Sequence, residues 1–207
     1  MEAKYERFEV LGKGSFGMVW MSRRIGKPED ELDDEYVAIK EIKIKDDKSE
    51  VYAEREIAIL KEQRHPIVIR LIRAYPVIIG SRVVVMQLAR GPNLHQLIVI
   101  RGALGLPLTR LVSRQLIAAV SYLHGRAVIH RDIKPSNCIL ACTSQKPIHD
   151  YDWFKDDSIW SSGEDCEKNV NEGRWKLFLV DFGFARALEK EEVRSQSRNL
   201  RNSIVFE

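Results

Sequence analysis

The chain has 207 residues, of which 44% are hydrophobic, 8% aromatic and 30% charged. That balance belongs to a folded protein and excludes wholesale disorder, collagen and silk-like repeats. Thirty-three lysines and arginines against 30 acids leave a formal charge of +3, too even over the whole chain to point to nucleic acid or an anionic membrane as partner. No apolar run approaches the roughly 18 residues of a spanning helix, because Arg70 and Arg73 interrupt the greasiest stretch. Residues 1–10 are charged and lack the apolar centre of a secretory signal. Cys138, Cys142 and Cys166 are odd in number and show no CxxC pairing, so reduced thiols and a cytoplasmic, alternatively nuclear, location are expected.

The first ninety residues read as strand-rich. Residues 8–11 and 18–21 flank a glycine-rich turn and predict a hairpin. Residues 26–35 are polar and acidic and read as a loop; residues 36–44 are β-branched and form a third strand. Residues 50–62 lack Gly and Pro, and Val51, Ile57, Ile59 and Leu60 suit a helix that Pro66 follows. Strands near 67–75 and 82–87 come next. Helices then take over at 94–101 and 108–125, the second with Leu111, Leu116, Ala119, Val120 and Leu123 as its buried stripe. Residues 138–140 and 177–180 are short apolar strands. Between them, 141–174 is polar, with clustered acids and aromatics (Tyr151, Trp153, Phe154, Trp160) and no apolar period, and reads as an inserted loop.

Four short segments carry chemistry. Gly12-Lys13-Gly14-Ser15-Phe16-Gly17-Met18-Val19 fits G-x-G-x-x-G-x-V, where glycine lets the backbone approach phosphates and aim N–H groups at them. Alone it does not separate phosphate binding from an ordinary tight turn. Val19-Trp20-Met21 continues as a strand, whereas a dinucleotide-binding turn wants a helix there. On the third strand, alternation puts Ala38 and Lys40 on one face, a small residue to admit a flat ring and a cation for phosphates. Glu54 and Glu56 compete to pair with Lys40; Glu56 is preferred because Ile57-Ala58-Ile59-Leu60 follows it. His130-Arg131-Asp132-Ile133-Lys134-Pro135-Ser136-Asn137 offers a proton acceptor, a cation and a neutral metal ligand. Asp181-Phe182-Gly183 ends an apolar strand, a place for an acid that holds a divalent cation against phosphate.

In this order and context the four segments resemble the eukaryotic protein kinase family, whose signatures are the glycine loop, V-A-I-K, H-R-D-x-K-x-x-N and D-F-G. The resemblance covers about residues 8–186, and Lys134 two places after Asp132 resembles the serine/threonine branch. It implies an α+β, two-lobed fold. A β-rich N-lobe with one helix would span 1–88, and a partial, mainly helical C-lobe 89–207, with the inserted loop at 141–174. It implies transfer of the γ-phosphoryl of ATP to a protein hydroxyl with Mg²⁺. Lys40 would hold the α- and β-phosphates and pair with Glu56; Asn137 and Asp181 would bind metal. Asp132 would take or orient the hydroxyl proton, and Lys134 would neutralise the γ-phosphoryl. Nucleotide contacts would come from Gly12, Lys13, Gly14, Ser15, Phe16 and Gly17 of the loop. Leu11, Val19, Ala38 and Ile139 would line the adenine slot, with Met86 as gatekeeper and Gln87 and Ala89 as the hinge. Arg131 would receive a phosphate if Ser195, Ser197 or Ser203 were phosphorylated; plain solvated serines are the alternative.

Two departures stand out. The 141–174 insertion either docks a regulatory protein or is a plain surface loop. Nothing after Phe184 resembles A-P-E or the helices that follow it in the family, so the catalytic domain is expected to be cut short, with Leu111, Leu116 and Leu123 losing packing partners. The rival function is a nucleotide-binding regulatory or scaffold module with little catalysis of its own. A small-molecule kinase is disfavoured by the completeness of the signature set.

Overall fold

The computed structural model describes residues 5–14, 17–26, 35–77, 79–142 and 175–189. Ser15, Phe16, Cys166, Ser195, Ser197, Ser203 and residues 143–174 of the insertion lie outside these, as does most of the loop expected at 26–35.

Strands β1 (Tyr5–Gly14), β2 (Gly17–Arg24) and β3 (Tyr36–Lys43) form an antiparallel meander. With β4 (Leu71–Ala74) and β5 (Ser81–Gln87) they make a five-stranded sheet ordered β1-β2-β3-β5-β4. β3 is central and buried on both faces. Val37 and Ile39 pack with Val85 on one side, while Ala38, Lys40 and Ile42 face the other, toward the helix and the cleft. A strand covered on both sides reads as a nearly continuous β-branched run, which is the sequence pattern of residues 36–42.

The helix α1 (Asp47–Glu62) starts three residues earlier than the apolar pattern indicates. Asp46 and Ser49 form a capping box: the Ser49 N–H donates to Asp46 Oδ1 at 2.8 Å and the Asp46 N–H to Ser49 Oγ at 3.0 Å. A polar first turn carries no apolar period, so periodicity alone misses it. Of the apolar residues that suggest this helix, Val51 is 52% exposed; Ala53, Glu56, Ile59 and Leu60 are the residues that α1 buries.

The expected strand at 67–75 shrinks to β4. Ile67 and Ile69 leave the sheet because their backbones bond elsewhere: the Leu179 N–H donates to Ile67 O at 2.7 Å and the Ile69 N–H to Leu179 O at 3.0 Å. This short parallel bridge joins the segment after α1 to the lower half of the molecule.

Below the sheet lie α2 (Leu94–Arg101) and α3 (Leu106–Gly125), then β6 (Val128–Ile129) and a 3-10 turn, Pro135–Asn137. The hairpin β7 (Cys138–Cys142) with β8 (Trp175–Leu179) follows, and β9 (Arg186–Ala187) pairs with β6. β7 takes in Ala141 and Cys142, so the insertion begins at 143 rather than 141. The stripe of α3 also needs correction: Leu108, Val112, Ala119 and Leu123 are buried, while Leu111 and Leu116 pack only partly against the core. Leu123 keeps its partners at 1% exposure, and the apolar surface left open on α3 is instead Leu106 and Ile117. No helix among the described residues is long and apolar enough to cross a membrane.

Candidate active site

Lys40 stands where the sheet, α1 and the strand β8 converge. Its Nζ is 2.6 Å from Glu56 Oε1 and 3.0 Å from Asp181 Oδ1. Register fixes the lysine opposite Val19 and Val84, and the helix repeat turns Glu56 inward together with Leu60. Glu54, the competing candidate, points outward to Arg82 at 3.5 Å. Burial works against the charge on Lys40, but the attraction of Glu56 and Asp181 outweighs it and raises the lysine above its ordinary value. Burial holds Glu56 above the usual carboxylate range despite Lys40. Asp181 is buried less deeply, so the Lys40 ammonium and the Gly183 N–H bring it below that range. Its backbone sits at φ +61°, in the left-handed region that non-glycine residues rarely occupy and that clusters at functional sites. Phe182 anchors this turn: it is fully buried, and the His130 ring meets its edge at 4.7 Å between centroids.

The segment 130–137 gathers its polar groups onto Asp132. Asn137 Nδ2 donates to Asp132 Oδ2 at 2.8 Å and to Asp132 O at 2.9 Å, and Lys134 Nζ is 2.8 Å from the same Oδ2. Oδ1 of Asp132 has no partner among the described residues. With both amide hydrogens spent on Asp132, Asn137 Oδ1 is left as a hard acceptor. The Val180 N–H donates to Asn137 O at 3.0 Å, which ties this loop to the residue preceding Asp181. An amide oxygen and a carboxylate fit a divalent cation that completes its shell with water and phosphate oxygens. No protein cage of three or more His, Cys, Asp or Glu side chains occurs among the described residues. Cys138, next in sequence, is a buried thiol that burial pushes up to about 11, and is chemically inert there.

Leu11, Val19 and Ala38 come together with Met21, Leu88 and Tyr36 in one small apolar cluster under the glycine loop. Met86 sits across from Ala38 in the sheet, and Gln87 and Ala89 lead out of β5 toward α2. Ile139 lies on β7, partly buried against the main core. Within the loop, Gly12 and Gly17 differ. A Cβ on Gly17, at φ +154°, would lie 1.8 Å from Glu41 O, so the fold itself demands glycine there. A Cβ on Gly12 would meet nothing within 4 Å, leaving open space of the kind that phosphates occupy. Lys13 is exposed, and Gly14 closes β1 opposite Gly17.

Sequence reasoning missed Gln115. From α3 its Nε2 donates to Trp175 O at 3.2 Å, and its Oε1 accepts from the Leu177 N–H at 2.7 Å. The amide thus continues the pairing along the edge of β8 away from β7, the edge on which Leu179 bonds Ile67 and Ile69. A single polar residue in an amphipathic helix carries no signal of this in sequence.

The model of the protein kinase domain matches residues 5–201. The chain belongs to the protein kinase family. The chain is 33% identical over 159 residues to a putative CBL-interacting protein kinase 27 of Oryza sativa subsp. japonica, covering 73% of this chain and 36% of that protein. It is 36% identical over 156 residues to CBL-interacting serine/threonine-protein kinase 13 of Arabidopsis thaliana, covering 72% and 28%. With the human NUAK family SNF1-like kinase 2 it shares 35% over 153 residues, covering 72% and 23%. The chain therefore spans between about a quarter and a third of the length of these relatives. The β-rich upper sheet with one helix and the helical lower part agree with a partial two-lobed kinase fold.

Proposed function

We propose that this chain carries an ATP- and Mg²⁺-dependent serine/threonine kinase site that transfers the γ-phosphoryl of ATP to a protein hydroxyl. The observation that carries the reading is the ammonium of Lys40, gripped by Glu56 from the upper helix and by Asp181 from the lower strand. Lys40 holds phosphate oxygens, and Glu56 fixes the direction in which it reaches them. Asn137 and Asp181 would hold Mg²⁺, which when bound neutralises charge on the phosphates. Asp132, oriented through Oδ2 by Asn137 and Lys134, presents Oδ1 to the proton of the acceptor hydroxyl. Lys134 sits beside the point where negative charge builds on the transferred group. The lobes meet near residue 88, adenine lies between the Leu11–Val19–Ala38 cluster and Ile139, and the location is cytoplasmic or nuclear.

The rival is a nucleotide-binding regulatory module with little catalysis, favoured by the open apolar side chains of Leu106 and Ile117. A radiolabel transfer assay separates the two. Lys40→Met and Asp132→Asn should each lower transfer by roughly 10²-fold or more. Equal transfer by wild type and both variants refutes the kinase reading, and nucleotide binding without transfer supports the rival.

A further inference from the structure

The even total charge hides a segregation. Residues 63–131 contain ten arginines and neither aspartate nor glutamate, while eight acids fall in 143–174, outside the described residues. Among the described residues after 88, the carboxylates are Asp132 and Asp181 of the cleft and the exposed Glu189.

Cations stand on the segments around Asp132. Arg131 and Lys134 flank it in the chain and are exposed; Arg131 donates its Nε to Phe184 O at 2.6 Å. Arg90 precedes Gly91, whose backbone lies against Leu140 of β7, and Leu140 N donates to Pro92 O at 2.9 Å. His95 is exposed in the first turn of α2, the helix that packs on the 3-10 turn of the Asp132 segment. Neither Arg90 nor His95 has an ion-pair partner among the described residues. On β9, exposed Arg186 stands opposite Ile129, next to His130.

A cleft mouth lined by one sign of charge concentrates ligands of the opposite sign and repels those of the same sign. Single-stranded nucleic acid would want aromatic platforms as well. Among the described residues after 88, Phe184 is the exposed aromatic, and Tyr122 is stacked on His65 and lies under Arg126. We propose that the acceptor is a peptide carrying acidic residues around the phosphorylated hydroxyl, with Arg90 and His95 as specificity determinants. The transfer itself rests on the kinase reading above.

Binding to the full chain tests this without requiring transfer. Fluorescent peptides of one neutral scaffold, with the acceptor serine replaced by alanine and flanked by either glutamate or lysine, are titrated by anisotropy. The acid-flanked peptide should bind about tenfold more tightly at low salt and lose that margin as salt screens the charges. Arg90→Glu/His95→Glu should erase the preference, and the gentler Arg90→Gln/His95→Gln should reduce it. Equal binding of both peptides, tighter binding of the lysine peptide, a preference untouched by both double variants, or tighter binding of a single-stranded oligonucleotide of matched charge would each overturn the proposal. Absent phosphoryl transfer with the acidic preference intact would strike the kinase reading alone; efficient transfer to the lysine-flanked serine would strike this inference alone.

Discussion

Replacing Lys40 by methionine removes the cation that balances Glu56 among the described residues, in a site where that carboxylate is only 3% exposed. A buried charge stripped of its partner costs about 3–5 kcal/mol. Asp181, with 35% of its side chain exposed, turns to water and adds little. Glu56 can escape part of the penalty by taking up a proton, since burial already holds it above the ordinary 4.5. A carboxyl whose folded-state pKa exceeds its unfolded value adds stability below the unfolded value and loses it as pH rises through the folded one. The Lys40→Met deficit should therefore be largest near about pH 8 and shrink toward about pH 5. Urea unfolding followed by tryptophan fluorescence at both pH values measures it. Adding Glu56→Met, which swaps the pair for apolar groups of similar volume, should recover about 2 kcal/mol or more. A single variant within about 1 kcal/mol of wild type at the higher pH, or a double variant less stable than the single, would refute the reasoning.

Three further outcomes follow from the same geometry. Gln115→Leu leaves the Leu177 N–H and Trp175 carbonyl without their side-chain partner, so unfolding free energy should fall by about 2–4 kcal/mol in a denaturant titration. Gly17→Ala should destabilise by about 2 kcal/mol or more because its Cβ would strike Glu41 O, whereas Gly12→Ala should leave the melting temperature nearly unchanged and weaken only nucleotide binding. Burial holds the His130 imidazole below its ordinary 6.5, against the pull of the Val180 carbonyl, Asp181 and Asp132. Such a group supports the fold fully above pH 6.5 and less as pH falls through its folded value, so the melting temperature should drop by a few degrees between about pH 7.5 and 5.5. His130→Tyr should flatten that slope in part, His65 being lowered by burial as well.

What sequence revealed were features whose chemistry is local. Glu56 was separable from Glu54 because three of the next four residues are large and apolar, which marks the inward face of α1. Asp132, Lys134 and Asn137 could be grouped because they lie within six residues, although their mutual contacts appear only in the structure. Long-range backbone bonds left no such trace. Nothing in residues 67–69 distinguishes a strand in the sheet from one bonded to Leu179, and the two-residue strands β6 and β9 are too short for any period. Gln115 looks like a solvated polar residue, since its partners are backbone atoms 60 and 62 positions away. The arginine bias was countable but invisible to the total, because the acids that cancel it sit elsewhere in the chain.

The bridge between Leu179 and residues 67–69 has a mechanical consequence. It fastens β8, two residues short of Asp181, to the segment that emerges from the helix holding Glu56, so the supports of the two acids beside Lys40 are joined by backbone hydrogen bonds. Parting the upper sheet from the lower half at this point would first have to break these two backbone hydrogen bonds.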